Sequence, residues 1–140
     1  MKSARILRYV VLPLILGWML YQLRPLGNGW IDNLSIRSNS WRDRSFEVPD
    51  FVIYNLADGL WSFALSALIL IIWENHLIAK RLWLIAVFIF VIGIEFLQKG
   101  QLLEGTFDNL DVLANVTGFA LSILILSYYK TTPNYETTLT

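Results

Sequence analysis

The sequence predicts an all-α, membrane-spanning bundle of about four transmembrane helices with an outer polar loop between the first two. Three observations lead there. Apolar residues make up 56% of the 140 positions and the mean hydropathy is +0.53, above the roughly 45–50% apolar share of soluble domains. Apolar runs occupy 6–23, 51–73, 82–98 and 110–129, each near the roughly 17–25 residues that cross a bilayer as a helix. Aromatic residues gather at the ends of these runs, as interfacial belts require: Trp18, Tyr21, Trp30, Trp41 and Tyr54 toward one interface, and Tyr9, Trp73, Trp83, Tyr128 and Tyr129 toward the other.

The first run follows Lys2, Arg5 and Arg8 but exceeds the roughly 7–15 apolar residues of a secretory signal, and no small-residue cleavage site follows it. It reads as an anchor, kinked at Pro13, where the ring removes a backbone donor. The segment 24–50 is polar and too short for a separate domain. The loops at 74–81, which carries Lys80 and Arg81, and at 99–109 are polar connections, so residues 1–130 form a single domain. The tail, 131–140, reads as disordered.

Basic residues stay on the cytoplasmic side. Over the whole chain they divide six against five between the two faces, which decides little. The first helix is clearer, with three basic residues before it and Arg24 alone close after it, and it places both termini in the cytoplasm.

Acidic and basic residues balance at 11 each, so no net charge draws the chain to nucleic acid. Cysteine is absent, which removes disulfides, thiolate catalysis and thiolate metal sites. No cofactor is implied, and His76, alone in a short loop, reads as a surface residue.

Four antiparallel spans bring the start of the second, the end of the third and the start of the fourth to one membrane face, and the polar residues cluster at those three ends. Asn55, Asp58, Ser62 and Ser66 follow one another at steps of three and four, a single helical stripe. Glu95 and Gln98 close the third span. Asp108, Asp111, Asn115, Gly118 and Ser122 form a second stripe on the fourth. A carboxylate at mid-membrane costs roughly 2.5–3.5 kcal/mol on insertion scales, so these groups are expected to face the bundle interior or a watery cavity.

Each element also has a plainer structural explanation. Asp108 and Asp111 suit the positive end of a helix dipole with Thr106 as N-cap. Asp58 could cap the ordered part of its helix. Asn115 and Ser122 suit interhelical hydrogen bonds, and Gly93, Ala114 and Gly118 suit close packing. Glu95 is the hardest to dismiss, because a helix C-terminus does not favour an anion.

Ile94-Glu95-Phe96-Leu97-Gln98, followed by Gly105-Thr106-Phe107-Asp108-Asn109-Leu110-Asp111 and by Asn115 and Gly118, resembles the signature of the VanZ-like family. Leu56-Ala57-Asp58-Gly59-Leu60-Trp61 is similar to that family's earlier Asp motif. The likeness covers about the C-terminal two thirds of the chain. It departs from the family at three places, where Gly59, Ser62 and Gly105 stand in for Lys, His and Arg. A charge-paired mechanism would then need Lys99, Arg42 or Arg44 as the base.

The resemblance implies a multi-pass protein of the bacterial inner membrane and cell envelope, in a family whose named member lowers susceptibility to glycopeptide antibiotics. Together with the converging carboxylates, it leads to the expectation that Asp58, Glu95, Gln98, Asp108, Asp111 and Asn115 bind a lipid headgroup or a lipid-linked wall intermediate at the outer leaflet. Two alternatives stand beside it. In one, the polar residues serve only packing and assembly; in the other, a carboxylate with a divalent cation performs hydrolysis or transfer within the membrane, since no Ser-His pair is present.

Overall fold

The computed structural model describes residues 2–22, 49–103 and 107–131. Expectations for Arg24, Trp30, Trp41, Arg42, Arg44 and Thr106, and for the tail beyond 131, fall outside those residues. Within them the chain is helical throughout: α1 (Lys2–Ile6), a π-helical turn (Leu7–Val11), α2 (Leu12–Gln22), α3 (Asp50–Ile72), α4 (Leu77–Lys99) and α5 (Asn109–Thr131). The first three run on as one rod, and the structure has four helices long and apolar enough to cross a membrane.

The disturbance expected at Pro13 lies just before it. Pro13 has no N–H to offer the carbonyl of Tyr9, and the wide turn at Leu7–Val11 falls where the helix meets that missing bond. The loop expected at 74–81 is shorter than the sequence suggests, because α4 starts at Leu77 and takes Lys80 and Arg81 into its first turns. Long basic side chains tolerate that position by reaching back to the interface along their apolar stems. The end of α4 is a Schellman closure: Gln101 N–H donates to Gln98 O (2.9 Å) and Leu102 N–H to Leu97 O (2.9 Å). Gln101 occupies the left-handed position at φ 57°, where glycine is the unstrained choice.

Small and polar residues fill much of the interior, and most of the large apolar residues of α4 face outward. Ala57, Ala64, Ala67, Ser62, Ser66 and Ser122 are buried, while Ile78, Leu82, Ile85, Ile89 and Phe90 of α4 are exposed. That inversion suits hydrocarbon, where apolar burial gives helices no mutual attraction and close approach with interhelical hydrogen bonds takes its place. Helices α3 and α5 form the tightest pair and α2 lies against α3. A second cluster, of Val10, Ala64, Ala67, Ile71 and Leu126, joins the first rod to the α3–α5 pair. Helix α4 is the outlier: 6% of its apolar window is buried, against 44% for α3. Most of its surface is therefore left for lipid.

Of the three small residues expected to allow close packing, two do so. A Cβ on Gly118 would overlap the carbonyl oxygen of Gly59, and one on Gly59 would stand 3.0 Å from that of Ala114. Gly93 has nothing within 4 Å and is not a packing point. Gly118→Ala should therefore cost at least about 1–3 kcal/mol by overpacking, whereas Gly93→Ala should be neutral or stabilise by up to about 1 kcal/mol through helix propensity. Thermal or denaturant unfolding in detergent measures both, and equal effects would contradict the α3–α5 contact.

At the far end of the bundle, Lys2 Nζ lies 3.1 Å from Glu74 Oε1 and Arg5 Nη1 lies 2.7 Å from Glu74 Oε2, which brings the chain's start to the α3–α4 turn. Hydrogen bonds from the Arg5 guanidinium and then the Lys2 ammonium hold the Glu74 carboxyl below the usual carboxylate range. A lowered value means stability that is present above the ordinary carboxylate range and lost as pH falls through it. An Arg5–Glu74 double-mutant cycle should give about 0.2–1 kcal/mol of coupling at neutral pH, as for exposed pairs, and none once Glu74 is protonated.

Candidate functional site

The ladder of side chains between α3 and α5 begins at the end where α3 and α5 start and α4 stops. Asn55 Nδ2 donates to Asp111 Oδ1 at 2.6 Å, Ser62 Oγ donates to the Asn115 carbonyl at 2.8 Å, and the Ser66 and Ser122 hydroxyls meet at 2.6 Å. Steps of three and four along both helices set these partners opposite one another. Asn55, Ser62, Ser66 and Ser122 therefore act as packing groups, as do the Asn115 carbonyl and one oxygen of Asp111.

Beside this seam, between it and α4, runs a groove of about 720 Å³. Its polar end is lined by Asp58, Glu95, Gln98, Asp111 and Asn115, five of the six residues singled out from the sequence. They come from three helices. The groove continues into apolar side chains: Val10 and Leu14 of the first rod, Leu65 and Leu68 of α3, and Phe90 and Val91 of α4. Tyr54 and Trp61 also line it, and the sequence reading had assigned Tyr54 only to an interfacial belt. The signal was present in Tyr54, Asp58, Trp61, Leu65 and Leu68, a stripe with steps of four, three, four and three beside the polar one.

Asp108, the sixth residue, does not line the groove. It is exposed, and its side chain accepts a hydrogen bond from Leu110 N–H at 3.0 Å, which caps the start of α5. Asp58 is not a cap: α3 begins at Asp50, more than two turns earlier, with the Pro49 carbonyl accepting from Val52 and Ile53.

Glu95 is the polar residue with the least support. It is 7% exposed, and its Oε2 is fully enclosed with no hydrogen-bond partner among the described residues. The carboxylates of Asp111, Asp58 and Asp108 lie within electrostatic reach of it. Among the described residues no group of three His, Cys, Asp or Glu is arranged to hold a metal ion. Lys99 is not the missing basic partner; its Nζ rests 4.9 Å from the centre of the Phe107 ring.

A Cβ at Gly59 would stand 3.0 Å from the Ala114 carbonyl oxygen, and Ser62 is 2% exposed within the seam. Gly105 lies outside the described residues.

No family model, curated protein or solved structure matches this chain.

A buried acceptor without a donor costs about 1–3 kcal/mol. Glu95→Leu should therefore raise stability in detergent by that order while removing the polar character of the groove. A loss of stability on this substitution would make Glu95 a structural residue.

Proposed function

We propose that this chain is a VanZ-like protein of the bacterial cell envelope that holds a membrane lipid, or a lipid-linked wall intermediate, by its headgroup. In this reading it spans the cytoplasmic membrane with both termini inside, and the groove opens toward the outer leaflet. The observation that carries the reading is the amphipathic lining of that one groove. Polar side chains of α3, α4 and α5 gather at an end that lies at helix termini, where headgroups lie, and an apolar trough follows the helices inward, where acyl chains lie. Order and spacing of Glu95, Gln98, Asp108, Asp111, Asn115 and Gly118 support the family assignment.

The hydrolase or transferase alternative is less well supported, because among the described residues no group of three His, Cys, Asp or Glu could hold a metal ion. The packing alternative accounts for Asn55, Ser62, Ser66 and Ser122, whose hydrogen bonds are made within the protein. It does not account for Glu95, which contributes no such bond through Oε2.

A lipid carrying a diazirine in its acyl chain, photolysed in bilayers containing the full chain, should label the segments around Leu14, Leu65 and Leu68. Leu65→Trp, which fills the trough, should abolish that labelling. Label spread evenly over the outward face of α4, at Ile85 and Ile89, and unchanged by Leu65→Trp would refute the reading.

A further inference from the structure

Among the described residues, the Asp, Glu, Lys, Arg and His side chains that line the groove are all acidic: Asp58, Glu95 and Asp111. A phosphate or carboxylate placed there would meet only like charge. The site needs a donor, because Glu95 lines the groove and its buried Oε2 has no hydrogen-bond partner among the described residues. The donor that fits is an organic one, since no three His, Cys, Asp or Glu among the described residues are arranged to hold a metal ion. A primary ammonium supplies three N–H donors and a positive charge, and the rings of Tyr54 and Trp61 in the same wall offer faces that attract a cation. The apolar continuation along Leu14, Leu65 and Leu68 requires that this ammonium be attached to a long apolar chain.

We propose that the groove selects lipids bearing a primary ammonium headgroup, with Glu95 as the hydrogen-bond acceptor at its polar end. This rests on the lipid-binding reading and narrows it to one headgroup class. For a zwitterionic phospholipid the phosphate then falls at the rim. Exposed Lys99, one residue past Gln98 at the end of α4, supplies positive charge there.

The test uses the full chain in nanodiscs and three photoactivatable lipids with identical acyl chains: phosphatidylethanolamine, its N-acetyl derivative and phosphatidylglycerol. Phosphatidylethanolamine should label the Leu65–Leu68 segment roughly tenfold more than either of the others, the ratio expected of one charge-assisted hydrogen bond. The preference should vanish in Glu95→Gln. The N-acetyl lipid removes the ammonium without touching the protein, so the comparison holds even if that variant fails to fold. Soluble ethanolamine at the concentration of the lipid should not displace it. Equal groove labelling by all three lipids would overturn the headgroup inference and leave lipid binding intact. Absence of groove labelling by any of them would overturn both. Displacement by ethanolamine alone would assign the site to a soluble amine and overturn its lipid identity.

Discussion

The approach of Gly59 to Gly118 sets the geometry on which the remaining features depend. In hydrocarbon, two helices gain nothing by hiding leucines from solvent, so association rests on close backbone contact and on polar groups finding each other. With no side chain at either glycine, α3 and α5 come near enough for Ser62 to reach a main-chain carbonyl and for Ser66 and Ser122 to touch. The same closeness brings Asn55 to Asp111. A seam this tight fixes the rotation of both helices, and thereby the direction in which Asp58 and Asp111 point.

Helix α4 obeys a different rule. Its small residue, Gly93, meets nothing, and its ring contacts with α5 and the segment before it are Phe88 with Phe119, at 5.1 Å between centroids, and Phe96 with Phe107, at 6.4 Å. Glu95 lines the groove from a helix that is otherwise almost wholly lipid-facing. The Schellman closure at Gln101 stops α4 just after Gln98 and keeps both polar side chains in its final turns.

Much of this was legible in the sequence because helical periodicity is a local property. The polar steps from Asn55 to Ser66 and from Asp111 to Ser122 name the two faces that meet, and antiparallel crossing places Glu95 near them. What escaped was governed by groups that carry no pattern. The start of α4 was missed because Lys80 and Arg81 mark where water begins, whereas a helix begins where backbone hydrogen bonds can first be made. Spacing alone could not orient Asp108, because an aspartate at a helix start has the same spacing whether it turns inward or bonds to Leu110 N–H. The apolar trough was invisible because its walls belong to separate elements, the first rod, α3 and α4.

The two ends of the bundle are held differently, and that difference explains where the groove lies. Near the start of α4, Glu74 is clamped by Lys2 and Arg5, which ties the α3–α4 turn to the first rod. At its other end the Phe96 ring of α4 lies tilted against Phe107, and Oε2 of Glu95 has no hydrogen-bond partner among the described residues. A stronger bond there, such as a Lys at position 59 reaching Glu95, would draw α4 onto the seam and satisfy the buried carboxylate from within. The Ala114 carbonyl oxygen, 3.0 Å from where a Cβ at position 59 would stand, crowds that solution. The contact that makes α3 and α5 a rigid pair is therefore also what leaves Glu95 without a basic partner from α3. A ligand with a positive charge can then supply what the protein's own packing prevents.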